Sequence, residues 1–414
     1  MRYNLGHLDR YPIEAAGTGI ENNPMLKVYF KEPIDPLRLE SAVYQAIQRN
    51  PLFGTKAEFK REYYLVDNKK PVKIIHAKES ERPLTFGQST NDYLWQCCYY
   101  DNEMTLEWVH GVADGNGALT FLKHILMAYC RMELPSTKMV NLVGPGLEPF
   151  YDRDEKGVDY KIDPPGFSIR DFPSFKHRGY ETDFHFLTAD TSEVLSCTKA
   201  CESSVAPIII VLFSRALRMH IPKSAKNRNV SCNVPVDLRR ILGYETMHNC
   251  VDMKRITYQD RHDDMSFKDV AKEYKKAVDN MRLTPNAIRM LTDRVNTLKI
   301  LHIPKSRRGV KFMMRLISLI MKHTDCNFQV TYLGKMGLPP EVRDKVDDII
   351  AKEWNDFGEC TICCLDNDGR FNLGITENFV EKGVVEDFIK LSRDVGIYWT
   401  EIESSVYTQA HYQE

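Results

Sequence analysis

The sequence has no long apolar run and no excess of charge of either sign. A helix that spans a bilayer needs about 20 consecutive apolar residues, and no run in this chain approaches that length. The opening residues, MRYNLGHLDRYPIE, also lack the apolar core of a secretory signal peptide. Lysine and arginine total 56 against 57 aspartate and glutamate residues, which leaves a net charge of −1. We therefore expect neither a nucleic-acid partner nor a membrane anchor.

Cysteine is frequent but lacks the regular spacing of a disulfide framework. The chain has 11 cysteines, and an odd number without a framework favours reduced thiols and a cytoplasmic location. Cys360 and Cys363 form a C-x-x-C pair, with Cys364 next to them. A structural zinc site needs four ligands, and no second C-x-x-C or H-x-x-x-H accompanies this pair. We predict that these cysteines fill the core and that no metal is bound.

The length of the chain predicts two domains. A chain of 414 residues is too long for one compact core and suggests two units of about 200 residues each. We place an N-terminal lobe at residues 1–178 and a C-terminal lobe at residues 179–414. Residues 134–178 are rich in proline, glycine and clustered charge, which argues against long regular structure. We interpret them as the crossover between the lobes and a loop over the site, although a plain linker fits the same composition.

Strand and helix patterns recur in both halves, which predicts an α/β (α+β) fold of sheets with packed helices. Strands are predicted over residues 26–30, 58–66, 72–75, 92–100, 181–187, 230–236, 251–258, 328–333, 359–365 and 371–375. Helices are predicted over 36–49, 192–200, 206–220, 265–282, 287–298, 309–322 and 384–395. The basic, amphipathic segment 305–322 fits a membrane-surface helix, but we favour burial of its apolar face in the protein.

The segment Leu106–Tyr129, LEWVHGVADGNGALTFLKHILMAY, predicts a strand, a tight glycine turn and then a helix from Ala118 onward. Glycines at three of seven positions allow left-handed backbone angles in the turn. The turn would hold His110 at the end of a rigid strand, with Asp114 following it. Imidazole titrates near neutral pH, so a fixed histidine suits general base catalysis. An ordinary histidine at a strand end is the alternative.

Three stretches carry a resemblance to a known superfamily. HGVADG at His110 resembles the H-x-x-x-D-G motif of the CoA-dependent acyltransferases, which include chloramphenicol acetyltransferase, peptide-synthetase condensation domains and alcohol acetyltransferases. NVPVDLRR from Asn233, with the following Thr246 and Asn249, resembles the V-P-V-(N/D)-L-R and T-x-x-N segments. VTYLGK from Val330 resembles a later strand motif. The nearest likeness is to bacterial alcohol acetyltransferase-like members.

The resemblance implies two chloramphenicol-acetyltransferase-like lobes, each a mixed sheet with packed helices, and an active-site channel between them. It implies transfer of an acyl group from the co-substrate acyl-CoA to a hydroxyl or amine of a small-molecule acceptor, with His110 as the base. By the same resemblance, Asp114 pairs with Arg239 and supports the loop, together with Gly115. Thr331 is a candidate hydrogen-bond donor to the reaction's oxyanion. No residue is assigned to the CoA phosphates.

Two other functions fit the same sequence. Many condensation domains carry H-H-x-x-x-D-G, and the first of those histidines is Val109 here. This departure weighs against a free-standing condensation-type enzyme that takes its acyl group from an acyl carrier protein. A non-catalytic homologue that acts as a binding module is the other alternative, and the intact His110 and Asp114 argue against it. Two short motifs are interpreted as structural, the turn at Gly17 and Gly19 and the segment Asp356-Phe357-Gly358.

Overall fold

The computed structural model describes residues 2–15, 22–77, 89–135, 163–168, 175, 181–243, 245–301, 306–321, 326–355 and 360–408. The strands are β1 (Arg2–Asn4), β2 (Asn22–Phe30), β3 (Thr55–Phe59), β4 (Tyr63–Asp67), β5 (Ile74–His76), β6 (Trp95–Tyr100), β7 (Glu103–Trp108), β8 (Glu181–Asp190), β9 (Val230–Asp237), β10 (Val251–Tyr258), β11 (Phe328–Lys335), β12 (Val346–Asn355), β13 (Cys360–Asn367), β14 (Arg370–Glu377) and β15 (Thr400–Thr408). The helices are α1 (His7–Ala15), α2 (Pro36–Arg49), α3 (Gly115–Tyr129), α4 (Thr191–Ala200), α5 (Val205–Met219), α6 (Arg239–Leu242), α7 (Phe267–Met281), α8 (Thr284–Leu301), α9 (Arg307–Met321), α10 (Pro340–Arg343) and α11 (Val384–Arg393).

The strands form two large sheets and one small one, which confirms the predicted mixed α/β fold. A five-stranded sheet has the order β12-β2-β7-β6-β5, and a seven-stranded sheet has the order β10-β9-β11-β13-β14-β8-β15. Strands β1, β4 and β3 form the small antiparallel sheet. Both large sheets are mixed, because β5 runs parallel to β6 and β11 runs parallel to β9 and β13.

Each large sheet has its own apolar core. Helices α2 and α3 cover the five-stranded sheet, and residues such as Leu39 and Leu122 bury their side chains against it. Helix α5 lies against the seven-stranded sheet and contributes a run of buried residues from Ile208 to Phe213. The division of the chain at residue 178 stays a prediction, and the segment 134–178 lies mostly outside the described residues.

The two large sheets approach each other closely where β12 meets β14. Strand β12 belongs to the C-terminal part of the sequence but pairs along its length with β2 in the five-stranded sheet. A Cβ atom on Gly374 of β14 would lie 2.0 Å from the carbonyl oxygen of Ala351 in β12. Because no side chain fits in that space, the crossing needs glycine at residue 374. The crossing brings residues of both sheets to the same pocket.

Two sequence predictions of local structure were wrong, and other elements were missed. The strand predicted over 58–66 is a hairpin of β3 and β4, in which Arg61 has a positive φ of 68°. The turn was missed because KRE at residues 60–62 contains none of the usual turn formers. Helix α3 begins at Gly115, not at Ala118, because Asp114 caps it. Strands β12 and β15 and helix α1 were not predicted.

Within the described ranges, no single helix has the length and apolar character of a membrane span. Helices α4 and α5 together meet that test of length and composition, but they are bent by 88° at the break between them. Most of α5 is buried in the core of the seven-stranded sheet.

Candidate active site

His110 follows β7 directly, in a turn that folds back on the strand. The backbone N–H of Val112 donates to the carbonyl oxygen of Val109 at 2.9 Å, and the Trp108 indole N–H donates to the carbonyl oxygen of Ala113 at 3.0 Å. Val109, Val112 and Ala113 are buried, whereas His110 is partly exposed. The turn therefore anchors its apolar residues in the core and leaves the imidazole at the surface of a pocket.

The glycines of this turn are needed for space and not for left-handed backbone angles. None of Gly111, Gly115 and Gly117 has a φ in the left-handed region, so that part of the prediction was wrong. A Cβ on Gly111 would lie 2.3 Å from the carbonyl oxygen of Asp9 in α1. On Gly115 it would lie 2.3 Å from Cδ2 of Leu333, and on Gly117 2.5 Å from the carbonyl oxygen of Met247. The turn is packed on three sides by other parts of the chain.

Asp114 is fully buried and accepts hydrogen bonds on both carboxylate oxygens. It caps α3 by accepting the backbone N–H of Gly117 at 3.1 Å, and it accepts the backbone N–H of Cys250 at 2.9 Å. The Arg239 guanidinium donates to it twice, Nη1 to Oδ2 at 2.7 Å and Nη2 to Oδ1 at 2.8 Å. Such bidentate, charge-assisted pairs hold geometry well. Each carboxylate oxygen of Asp114 therefore accepts two hydrogen bonds.

In the folded protein the pKa of Asp114 is lowered and the pKa of Arg239 is raised. Burial acts to raise the pKa of the Asp114 carboxyl, but the charge and hydrogen bonds of Arg239, with the N–H groups of Cys250 and Gly117, outweigh burial and lower it. Burial acts to lower the pKa of the Arg239 guanidinium, and Asp114 with Asp237 outweighs burial and raises it. Both groups are therefore held in their charged forms.

Arg239 also binds the segment between β9 and β10 to this turn. Its Nε donates to the carbonyl oxygen of Thr246 at 2.7 Å, and its Nη2 donates to that of His248 at 2.8 Å. Nη1 contacts Asp237 Oδ1 at 3.2 Å, and the other oxygen of Asp237 accepts from Asn116 at 3.0 Å. The sequence motifs around His110 and Arg239 therefore form one hydrogen-bonded unit.

His110 faces a pocket between the two large sheets. Residues at or beside the five-stranded sheet that line it include Pro24, Met25, Trp108, His110, Ala351, Lys352 and Glu353. Residues at or beside the seven-stranded sheet that line it include Pro235, Val251, Met253, Gln329, Thr331, Tyr332 and Cys363. The lining combines apolar side chains with polar and charged ones, among which are His110, Gln329, Thr331, Lys352 and Glu353.

Thr331 lines the same pocket as His110 and contacts a buried polar pair. The Gln329 amide donates to Thr331 Oγ1 at 3.3 Å and to Glu353 Oε2 at 3.1 Å. Gln329 and Glu353 are both buried. Because Thr331 Oγ1 accepts from Gln329, its own hydroxyl hydrogen is left to donate elsewhere.

Sequence comparison with known proteins gives no match: neither a family model nor a curated protein sequence matches this chain. Solved structures do match. TRI101 from F. sporotrichioides, complexed with coenzyme A and T-2, has a TM-score of 0.62 at 11% identity, over 97% of this chain and 100% of that one. Polyketide synthase associated protein 5 from Mycobacterium tuberculosis has a TM-score of 0.61 at 14% identity, over 95% and 98%. TRI3 trichothecene 15-O-acetyltransferase from Fusarium sporotrichioides has a TM-score of 0.59 at 10% identity, over 95% of each chain.

This similarity spans nearly the whole chain. The protein has the fold of the CoA-dependent acyltransferase superfamily. The fold predicted from the motifs at His110, Asn233 and Val330 is thereby confirmed. The narrower likeness to bacterial alcohol acetyltransferase-like members stays a prediction, as do the roles of the individual site residues.

Within this acyltransferase fold, the sequence pointed to some site residues and missed others. The structure brings His110 and Thr331 to one pocket and joins Asp114 to Arg239. It adds Asn249, whose side-chain amide nitrogen lies 3.3 Å from His110 Nδ1. Asn249 was present in the T-x-x-N motif but had no assigned role. Gln329 and Glu353 carried no recognisable signal, because buried polar residues on strands look like solvent-facing ones in sequence.

The cysteines of β13 are buried in the acyltransferase fold. Cys360 and Cys364 lie in the core of the seven-stranded sheet, and Cys363 lies in that of the five-stranded sheet. Burial raises the pKa of the Cys360 and Cys363 thiols, and the carboxylates of Glu377 and Glu353 respectively raise them further. All 11 cysteines are free, and the described part of the chain holds no group of three His, Cys, Asp or Glu residues suited to a metal. Gly17, Gly19 and the segment 356–358 lie outside the described residues.

Proposed function

We propose that the protein transfers an acyl group from a CoA thioester to a hydroxyl or amine on a small molecule. The observation that carries this proposal is the position of His110, a partly exposed imidazole at the edge of a pocket between two sheets. Structures of this fold support it, because those of TRI101 and TRI3 are of acetyltransferases or contain coenzyme A.

His110 is the general base of the proposed reaction. It takes the proton from the acceptor hydroxyl or amine as that atom attacks the thioester carbonyl carbon. The attack forms one carbon–oxygen or carbon–nitrogen bond and puts a negative charge on the carbonyl oxygen. The tetrahedral intermediate then collapses, the carbon–sulfur bond breaks, and the thiolate of CoA receives the proton from the imidazolium of His110. The histidine returns to its starting state, and no covalent acyl-enzyme is formed.

The oxyanion needs a hydrogen-bond donor that is already in place. We assign this role to the Thr331 hydroxyl, because it lines the same pocket as His110 and its oxygen accepts from Gln329. That bond orients the hydroxyl so that its hydrogen is available to the intermediate. Asp114 and Arg239 hold the turn and the segment 246–250 around His110, so both reactants meet a fixed imidazole.

A thiol-release assay tests the proposed function. The purified protein is incubated with a panel of acyl-CoA donors against alcohols and amines, and free thiol is measured over time. We expect acceptor-dependent release with at least one donor, and mass spectrometry of the product then identifies the bond formed. Acceptor-independent release alone would indicate thioester hydrolysis and would contradict transfer.

A second function uses the same chemistry with a different donor. The similarity to polyketide synthase associated protein 5 favours a test of acyl groups carried on an acyl carrier protein. The two functions are separated by comparing kcat/KM for an acyl-CoA and an acyl carrier protein that bear the same acyl chain. The donor that the protein uses gives the higher value. If neither donor is turned over but acyl-CoA or acceptor binds in calorimetry, the protein is a binding module of this fold.

A further inference from the structure

Helix α9 is a surface element that buries only part of its apolar face. It contacts α1 and α8, and Val310 packs with Ala15 of α1 at an exposed fraction of 1%. Phe312 and Leu316 are 66% and 41% exposed. The predicted burial of the apolar face of this segment is therefore observed at Val310 but not at Leu316.

The outward face of α9 is basic as well as apolar. Arg308 lies one helical turn before Phe312, which lies one turn before Leu316, so the three share the face opposite to the packed one. Lys311 lies at the edge of that face. Residues 307–321 contain no aspartate or glutamate. The helix therefore presents two apolar side chains beside cations, with no anion of its own.

A neighbouring turn brings two further cations to this surface. Phe59, at the end of β3, packs with the buried residues of α1 and α9. Arg307, at the start of α9, lies beside Tyr63, the first residue of β4. The turn that joins β3 to β4 carries the exposed side chains of Lys60 and Arg61. Because both ends of this turn contact α9 or its neighbours, its cations lie next to the helix.

The acid of this turn is already paired. Glu62 accepts a hydrogen bond from Nη1 of the buried Arg10 at 2.8 Å. The cations of the turn and of the outward face of α9 form no ion pair with residues that the structure describes. The net charge of −1 for the whole chain therefore conceals a local excess of positive charge. The surface, called the α9 patch below, comprises Lys60, Arg61, Arg308, Lys311, Phe312 and Leu316.

We propose that the α9 patch docks the protein on the surface of an anionic phospholipid membrane. Phe312 and Leu316 enter the boundary between head groups and acyl chains, as the apolar face of an interfacial helix does. The lysine and arginine side chains keep their charges among the head groups, where anionic lipid attracts them. The helix lies on the membrane and does not span it.

Charge favours a membrane over other occupants of the patch. In a symmetric dimer the same patch on each copy would face the other, and the cations would repel one another. A nucleic-acid duplex would contact the cations through its phosphates but would leave Phe312 and Leu316 exposed. A membrane accommodates both kinds of side chain, because its surface is anionic and its interior is apolar.

Vesicle co-sedimentation tests the proposal. The full-length protein is mixed with vesicles of phosphatidylcholine alone or of phosphatidylcholine with phosphatidylserine, and bound protein is measured as the lipid concentration rises. We expect binding to the mixed vesicles, weakened by added salt because salt screens exposed charges. Equal affinity for both kinds of vesicle, or binding to neither, would overturn the proposal. Vesicle binding needs no turnover, so its failure is distinct from failure of the proposed function.

Two double substitutions separate the apolar contribution from the electrostatic one. We expect Phe312→Ser with Leu316→Ser to weaken vesicle binding at least about tenfold, because burial of one such side chain contributes about that much or more. We expect Arg308→Gln with Lys311→Gln to weaken it about 30-fold, since each basic residue near an anionic surface contributes roughly fivefold.

Matched controls come from exposed residues of other elements. Leu195→Ser removes a leucine of α4 that is 51% exposed. Lys223→Gln with Lys226→Gln removes two exposed lysines between α5 and β9. We expect these controls to bind vesicles like the parent and all variants to keep their melting temperatures. A patch variant that binds as tightly as its control would overturn the proposal.

A fluorescence measurement reports insertion directly. Phe312→Trp places an indole on the outward face of α9, and vesicles with brominated acyl chains quench an indole that reaches them. We expect stronger quenching in Phe312→Trp than in the parent or in Leu195→Trp, and equal quenching in all three would overturn the proposal. Sedimentation velocity without lipid tests self-association. A dimer that Phe312→Ser with Leu316→Ser dissociates would assign the patch to a second copy and overturn the proposal.

Discussion

At the scale of single residues, the site consists of one partly exposed histidine and a buried ion pair that holds its surroundings. The sequence motifs gave His110, Asp114 and Arg239, because charged residues and histidine next to glycine turns are visible without a structure. The contact between His110 and Asn249 was not predicted. It depends on how two distant segments are brought together, and spacing along the chain carries no information about that.

Asp114→Asn tests the ion pair. The substitution keeps the shape of the side chain but leaves the Arg239 guanidinium without its carboxylate, and breaking a buried pair in this way costs about 3–5 kcal/mol. We expect a clear loss of free energy of unfolding at neutral pH together with a lower rate. Chemical denaturation measures the first. An unaltered stability would contradict the structural role of Asp114.

The pH dependence of that loss follows from the direction of the pKa shift. The folded state lowers the pKa of Asp114 below its ordinary value of 3.8, so the carboxylate contributes stability above that pH and the contribution is lost as the pH falls below it. We expect the difference between the parent and Asp114→Asn to be constant at neutral pH and to shrink below about pH 3.8. Denaturation curves over that range measure it, and a difference that grows towards acid pH would contradict the account.

Thr331→Val tests the hydroxyl assigned to the oxyanion. Valine has the same shape but no donor, and loss of one oxyanion donor lowers kcat by about 10²–10³-fold. Thr331→Ser keeps the hydroxyl and is the control, so we expect it to retain most of the activity. Initial rates of thiol release at saturating donor and acceptor measure both. Equal activity of the valine and serine variants would remove Thr331 from the mechanism.

At the scale of elements, regular amphipathic segments were predicted and polar buried ones were missed. Helix α5 and strand β9 have the apolar patterns that predict buried elements. Helix α1 does not, because three of its six buried residues, Asp9, Arg10 and Glu14, are charged, and Pro12 lies inside it. Strand β12 likewise has buried charged residues, Asp348, Lys352 and Glu353. A pattern of hydrophobicity cannot reveal an element whose inner face is charged and paired.

Gly111→Ala tests the packing of α1 on the turn that holds His110. The added Cβ would lie 2.3 Å from the backbone oxygen of Asp9 and 2.6 Å from Ile13 Cγ1, so α1 or the turn must move. Overpacking of this kind costs about 1–3 kcal/mol, and it displaces the Asp9 carboxylate that holds Asn249. We expect a lower melting temperature and a lower kcat.

Gly54→Ala is the matched control for that substitution. Its Cβ meets only the Cγ2 methyl of Ile47, at 3.1 Å, which has to give way by only a few tenths of an ångström. We expect little change in melting temperature or rate. If Gly111→Ala behaves like Gly54→Ala in both measurements, then α1 does not constrain the turn.

At the scale of the whole molecule, the fold was predicted from three motifs rather than from the pattern of elements. The order of strands and helices indicated only a mixed α/β class. The contact between the two large sheets could not be predicted. It depends on the pairing of β12 with β2, two strands that are far apart in the sequence. The close contact of Gly374 with the Ala351 backbone is marked in the sequence only by a single glycine in a strand.

Gly374→Ala tests that crossing. A Cβ at this position would lie 2.0 Å from the Ala351 carbonyl oxygen, so the sheets must separate or β14 must distort. We expect destabilisation of about 1–3 kcal/mol and a change in KM for the substrates, since β12 lines the pocket. Denaturation and steady-state kinetics measure these effects, with Gly54→Ala as the control. An unchanged protein would show that the sheets are not held in contact there.

The central claim is that the His110 imidazole removes the acceptor's proton in acyl transfer. Comparing kcat/KM for thiol release between the parent, His110→Ala and the control His76→Ala, an exposed histidine of β5, tests it most directly. We expect His110→Ala to fall by about 10²–10⁴-fold, the usual contribution of a general base, with the fold and the His76→Ala activity retained. Activity of His110→Ala within about tenfold of the parent, a loss of only about 1.4 kcal/mol, would contradict the claim.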